Sequence, residues 1–354
     1  MKKICIIGCG WYGCHIARIL KDKYDIIMIE KENDIFNNSS YYNQNRLHSG
    51  FHYCRNYSTR HLCKNNYERF KSTYNEMIDI IDNNFYLISN ESIIDYNTYI
   101  NIYKYEDFSF HSIKNKWFNN IYNDILIVNE HVINSDKVYN YFKNELKNIE
   151  IKFNTKFINY VKKNNKIIVE YFDIHGNNHY KFECDILIDC TYNQAGLSKK
   201  DYIYELTISL LFEKKNRTDF DAITIMDGDF MSLYPRNIEL NTYTLTDVLL
   251  TPIIKSSNYS DIEKNLYDNS KSTKTQIIDS IKEQMIIRFI KYYPNFLNDF
   301  NYTGYFISKK TKPNSTSASR DIIIDEIEEN VISVNCGKIY GIFYFEDMIR
   351  KKYL

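Results

Sequence analysis

Residues 3–30 read KICIIGCGWYGCHIARILKDKYDIIMIE. Lys2–Ile7 is a short apolar run of β type, Trp11–Asp22 has helix-compatible spacing, and Tyr24–Glu30 is a second apolar run. A strand, a helix and a strand within about thirty residues predict the opening of an α/β domain. Between the first strand and the helix stands Gly8-Cys9-Gly10-Trp11-Tyr12-Gly13, a G-x-G-x-x-G spacing. The chain has only 10 glycines in 354 positions, so a chance match is expected in roughly 0.8 % of such chains. Each glycine has a task in dinucleotide binding. Gly8 makes the tight turn, Gly10 lets the backbone approach a pyrophosphate, and Gly13 lets helix and strand pack closely. The helix N-terminus then stabilises phosphate charge. Glu30 ends the second strand, near the expected offset of about 20 residues, where a carboxylate accepts from ribose hydroxyls and repels a 2′-phosphate. The bland alternative is a glycine-rich turn with no ligand.

Further along, residues 33–60 are polar, aromatic and irregular, the kind of long segment that tends to be functional. Residues 61–82 read as a helix, and 84–127 mix short strands and aromatics without a clean period. Ser135 is an N-cap candidate for a helix from Asp136 to about Lys147. Residues 151–190 predict a β-meander with a turn at Gly176-Asn177, ended by the apolar strand DILIDCT. Strand-like runs YELTISLLFE and TYTLTDVLLT follow, with a helix over about 275–292. The tail returns to a strand, IIIDEIEENVISVNC, and a helix over 338–351. Residues 311–319 are the most loop-like stretch.

Lys+Arg and Asp+Glu are 45 each, so the formal net charge is zero. That removes the basic excess a nucleic-acid or membrane-surface protein needs. No apolar run approaches a membrane span, and His15 and Arg18 interrupt the only signal-like stretch, so the expectation is a soluble, cytoplasmic protein. The 33 tyrosines and the asparagine clusters, against 10 glycines and 4 prolines, fit an AT-rich genome, which makes asparagine runs weak evidence for disorder. None of the 8 cysteines pairs in CxxC spacing, so free thiols in a reducing compartment are expected and no metal site. His48 and His52 have a spacing that could share a metal, but no carboxylate or cysteine cluster supports it.

The fingerprint does not by itself choose between FAD and NAD. Residues 39–60, SSYYNQNRLHSGFHYCRNYSTR, resemble the second segment of the D-amino-acid oxidase-like FAD-dependent oxidoreductases. Arg46-Leu47-His48-Ser49-Gly50-Phe51-His52-Tyr53 is most similar to the L-2-hydroxyglutarate dehydrogenase-like branch, with Cys54 where many relatives have proline. The meander ending in DILIDCT, the turn at 227–230 with Leu233-Tyr234-Pro235, and Val334-Asn335-Cys336-Gly337-Lys338-Ile339 resemble further parts of that family. The resemblance implies an α/β fold, α+β overall. A Rossmann-like FAD-binding domain with a β-meander takes 1–75, 128–195 and 306–354. A mostly antiparallel substrate domain, inserted in it, takes 76–127 and 196–305. It implies FAD contacts from Gly8, Gly10, Trp11, Tyr12, Gly13, Glu30, Lys31, Asn45, Arg46, Leu47, His48, Phe157, Gly337, Lys338 and Ile339.

FAD carries the hard step of such chemistry, a hydride transfer from carbon, while the protein orients the substrate and handles a proton. An alcohol needs its hydroxyl proton removed, which a histidine near the flavin can do. His48, as base or covalent tether, and His52 are the candidates. A carboxylate-bearing substrate calls for an arginine fork. Arg320 is the first choice, where family members often place a substrate-facing arginine, and Arg46, Arg55 and Arg236 stand behind it. Tyr53 and Tyr234 are pocket candidates for which packing is the simpler role. The expectation is an FAD-dependent enzyme oxidising CH–OH or CH–NH in a small acid or sugar-derived molecule. The alternatives are an NAD-dependent dehydrogenase and a redox-inactive flavin- or nucleotide-binding protein.

Overall fold

The computed structural model describes residues 1–122, 124–228, 230–267, 271–314 and 322–354. The chain forms two compact, discontinuous units: 1–42, 136–204 and 309–354 in the first, 43–135 and 205–308 in the second.

The first unit is built on a six-stranded sheet. Its strand order is Ile323–Glu328, Val331–Asn335, Ile186–Asp189, Lys3–Ile7, Asp25–Ile29, Glu150–Lys152. All neighbours are parallel except the antiparallel edge hairpin of Ile323–Glu328 with Val331–Asn335. Lys3–Ile7 lies between two parallel neighbours and is almost wholly buried, which is why it reads as an unbroken apolar run. The three-stranded meander Thr155–Lys163, Lys166–Asp173 and Asn178–Cys184 packs Phe157, Ile167 and Val169 against Ile7, Ile29 and Leu187.

Helix Trp11–Leu20 ends two residues earlier than its spacing predicts. It is clamped to helix Gly341–Tyr353 by a buried pair: His15 Nε2 lies 3.1 Å from Glu346 Oε2, and Arg350 Nε donates to Glu346 Oε1 at 2.7 Å. Burial works to raise the Glu346 pKa, but the His15 and Arg350 hydrogen bonds outweigh it and hold the carboxyl at about 2.

The second unit carries a nine-stranded sheet. Its centre pairs Ala222–Met226 parallel with Asn84–Ile88 and antiparallel with Met231–Asn237. Phe85, Ile208, Phe212, Ile223 and Leu245 face helix Lys271–Ile290 residues Met285 and Phe289 in its main core. Helix Tyr96–Tyr105 covers the other side with Tyr99 and Tyr103. That helix falls inside the stretch that reads as irregular; Asp95 caps it by accepting from Thr98 N. One further expectation shifts. The helix expected over 61–82 runs Tyr57–Tyr74, capped by Asn56, and is followed by a strand at Ile78–Asp79.

The units also redraw the domain boundaries expected from sequence. Residues 43–75 and 128–135 cluster with the second unit, because Arg46–Leu47 and Ile78–Asp79 both pair with His131–Ile133 in a small three-stranded sheet. Residues 196–204 cluster with the first unit, where Ser198 bonds Asp325 and Tyr204 bonds Asn193. Residues 306–308 cluster with the second.

Candidate functional site

The first unit gathers the glycine fingerprint, Glu30 and the C-terminal closure. Gly8 has φ +92°, and a Cβ there would stand 2.9 Å from the Cys190 carbonyl oxygen. A Cβ on Gly13 would stand 1.9 Å from the Gly8 oxygen, so the helix can begin against this turn only with glycine. Gly10 differs. Its Cβ would meet only the Ser40 side chain, the hydroxyl at 2.6 Å, so the space above it is bounded by one small side chain rather than by backbone. Ser40 Oγ accepts from Trp11 N at 3.1 Å, and the first helical turn has no acidic residue to neutralise its dipole. An oxygen already sits on the helix N-terminus, as a phosphate oxygen would.

Glu30 accepts from Cys9 N at 2.6 Å through Oε2 and from Glu32 N at 2.9 Å through Oε1. Each oxygen keeps a second acceptor site. Burial pushes its pKa up, against the two N–H donors and the Lys309 ammonium, which pull it down. Lys309 is buried, with Nζ 3.6 Å from Glu32 Oε1, and the sequence reading did not single it out. These features fit the adenosine and pyrophosphate parts of a dinucleotide: a cradle closed to side chains, an N–H-rich helix start, and a held carboxylate with spare acceptor sites.

Trp11 itself packs edge-on against Phe36 and Phe142, so its backbone rather than its ring is available. Tyr12 donates to the Lys338 carbonyl at 2.8 Å, and a Cβ on Gly341 would stand 2.1 Å from the Tyr12 hydroxyl. This pins Gly337, which is exposed, and the half-buried Lys338 and Ile339 to the fingerprint helix. Lys31 is half-buried just past the second strand. Phe157 is a core side chain, and only its backbone can serve a ligand. Two residues before it, Thr155 N donates to the Glu30 carbonyl at 2.9 Å.

The second unit gathers Asn45, Arg46, Leu47, His48 and His52. Asn45 takes φ +51° and accepts from Ile133 N at 2.7 Å; Leu47 is fully buried. Arg46 is buried over the Tyr234 ring, 4.0 Å from its centroid, and donates from Nη1 to the Tyr86 hydroxyl at 3.0 Å. Tyr86 donates in turn to Glu130 Oε2 at 2.6 Å. Glu130, with no exposure at all, accepts from Ser49 N at 2.8 Å and Gly50 N at 3.2 Å through Oε1. His48 Nδ1 lies 3.7 Å from Glu130 Oε2, within ion-pair reach but beyond a hydrogen bond. Glu130 therefore holds the loop that carries His48 and balances Arg46 through Tyr86. Sequence reasoning missed it, because its role comes from strand His131–Ile133 pairing with Arg46–Leu47 across more than eighty positions.

Around this centre the His48 and His52 rings are 5.3 Å apart, Tyr53 stands 5.3 Å from each, and Phe230 lies 4.8 Å from His52. Tyr234 is a packing residue that donates to the His131 carbonyl at 3.0 Å. Arg55 is engaged with the buried Asp227, Nε to Oδ2 at 2.7 Å and Nη2 to Oδ1 at 3.3 Å. Arg236 lies over the Phe306 ring at 5.0 Å. Arg320 lies outside the described residues. Among the described residues no group of three His, Cys, Asp or Glu is placed to hold a metal ion, and no helix is long and apolar enough to cross a membrane.

No family model matches the chain. It is 28% identical over 348 residues to the FAD-dependent monooxygenase FPY4 of Fusarium mangiferae, covering 97% of this chain and 89% of that protein. It is 24% identical to the FAD-dependent monooxygenase kojA of Aspergillus flavus, over 96% of this chain and 83% of that one. Among solved structures, glycine oxidase from Geobacillus kaustophilus superimposes with TM-score 0.71 at 9% identity, covering 99% and 95% of the two chains. NikD, an amino acid oxidase essential for nikkomycin biosynthesis, gives TM-score 0.71 at 8% identity over 98% and 92%. The fold is that of the D-amino-acid oxidase-like FAD oxidoreductases: a Rossmann-type FAD-binding domain with an inserted substrate domain. With the fingerprint and its carboxylate in place, the chain is an FAD-dependent oxidoreductase and FAD is its cofactor.

Proposed function

We propose that the protein oxidises a CH–OH or CH–NH group of a small acid or sugar-derived molecule by hydride transfer to FAD. FAD, when bound, supplies the hydride acceptor. The observation that carries the reading is the buried Glu130 facing His48 Nδ1 at 3.7 Å, beneath a loop whose sequence resembles the flavin-side segment of the family. A carboxylate on that side favours a proton on Nδ1, which leaves Nε2 as the acceptor for a substrate hydroxyl proton. His52 stands second in line. Arg320 is the proposed carboxylate clamp, with Arg236 behind it. Within the fold, Arg46–Tyr53 supports the L-2-hydroxyglutarate dehydrogenase-like branch.

The curated relatives favour a second reading, because they are named as monooxygenases. The two readings separate under anaerobic conditions. The purified protein should show flavin bands near about 370 and 450 nm. Hydroxy acids, amino acids and sugar acids are then added singly, followed by NADH or NADPH. Bleaching by one of the organic substrates alone supports direct oxidation. Bleaching only by the nicotinamide supports oxygen insertion and overturns the first reading.

A further inference from the structure

Three loops of the second unit meet at one end of its large sheet, next to His52. Ser89 N donates to the Met226 carbonyl at 2.7 Å, Ile93 N to that of Asp227 at 3.1 Å, and Val248 N to that of Phe230 at 2.9 Å. Gly228, at φ +116°, packs under Ile93, whose Cγ1 is 3.4 Å from its Cβ position. The loops are therefore tied to the strand ends and to one another by backbone hydrogen bonds. Among the described residues of these loops, three aliphatic side chains stand out to solvent, Ile93 at 65%, Val248 at 49% and Leu249 at 58%, alongside the exposed Asn90, Glu91 and Asp95. Phe230 connects this rim to the histidines, with its ring 4.8 Å from that of His52. Several charges on these loops are paired: Arg55 with Asp227 by two bonds, Arg288 with Asp247, and Lys291 with Glu91.

Scattered exposed aliphatic residues need no explanation, but a group of them on hydrogen-bonded loops beside a polar centre does. A ligand site of this kind has apolar walls and a few convergent polar groups. We infer that the rim of Ile93, Phe230, Val248 and Leu249 receives an apolar substituent, alkyl or aromatic, of the substrate whose polar end reaches the histidines. The inference rests on the reading of His48 and His52 as the chemical centre. It narrows the substrate class from small acids and sugar derivatives at large to those bearing a hydrocarbon group next to the oxidised carbon.

The test measures binding of straight-chain carboxylates and primary alcohols of two to eight carbons to the purified protein, by calorimetry and by change in flavin absorbance. Burying one methylene contributes about 0.8 kcal/mol, so the dissociation constant should fall about fourfold per added carbon until the rim is covered. Phe230→Ala and Val248→Asp should flatten that gain while flavin content stays normal. A dissociation constant independent of chain length, or a gain unchanged in Phe230→Ala, overturns the inference. So does a mass in solution that drops in Ile93→Asp with the chain-length series untouched, since the rim is then a contact between copies of the chain. A chain-length gain in protein that carries no flavin leaves the rim standing and removes the reading of the reaction instead.

Discussion

At the scale of single residues, the three fingerprint glycines do different work, and substitution separates them. The Cβ of Gly13→Ala would stand 1.9 Å from a backbone oxygen that cannot move away, so the turn itself must open. Overpacking of this kind costs about 1–3 kcal/mol. The variant is expected to melt several degrees lower even without cofactor. Gly10 faces only the Ser40 side chain. Gly10→Val should leave the melting temperature of flavin-free protein within a few degrees of wild type yet abolish flavin retention, because its side chain would fill the space that the fingerprint reserves for a pyrophosphate. Normal flavin occupancy in Gly10→Val, read by absorbance after gel filtration, would contradict the cofactor geometry. Glu130 gives the matching prediction in the second unit. Glu130→Gln leaves the Arg46 charge buried without its anion, and breaking a buried pair costs about 3–5 kcal/mol. Tyr86→Phe removes one bridging hydroxyl and should cost about 1–2 kcal/mol. Urea unfolding should rank them in that order; equal midpoints would show that Arg46 is balanced elsewhere.

At the scale of elements, the helix pair Trp11–Leu20 and Gly341–Tyr353 is held by Glu346 between His15 and Arg350. The folded pKa of Glu346 is about 2, depressed from 4.5. A depressed carboxyl contributes stability that is present above its unfolded pKa and lost as pH falls through the folded value. The melting temperatures of wild type and Glu346→Gln should therefore differ most near neutral pH. The difference should shrink as pH drops from about 4.5 to about 2, and a constant difference across that window would remove the assignment. This clamp also shows which elements were legible. Lys3–Ile7, Gly8–Gly13 and Glu30 announce themselves because strand burial, the steric need for glycine and a carboxylate held by the turn all act within thirty residues. The partner helix was legible as a helix, but nothing local says that Glu346 meets His15, 331 positions away. Helix Tyr96–Tyr105 was hidden because tyrosine and asparagine, which dominate it, have middling helix propensity, and its stability comes from packing Tyr99 and Tyr103 on Phe51. The small sheet of Arg46–Leu47, His131–Ile133 and Ile78–Asp79 was invisible for the same reason: strands of two or three residues carry no period, and only their pairing defines them.

At the scale of the whole molecule, the two units share one chain that crosses from each to the other more than once. A ligand that binds only the folded chain raises its stability by mass action. The fingerprint, Glu30 and the C-terminal closure all lie in the first unit, drawn from both ends of the sequence. An FAD site built on them would require the N-terminal 42 residues and the segment after 309 to be folded together. Flavin-free protein is therefore expected to gain stability as FAD is added, about 2.7 kcal/mol at a hundredfold excess over the dissociation constant. In a melting scan this appears as a midpoint that climbs with the logarithm of FAD concentration. Gly10→Val should show no climb at any concentration. NAD, added instead, should leave the wild-type midpoint unmoved. A midpoint that rises with NAD and not with FAD would return the fingerprint to a nicotinamide dehydrogenase, since the same cradle and ribose carboxylate serve either dinucleotide.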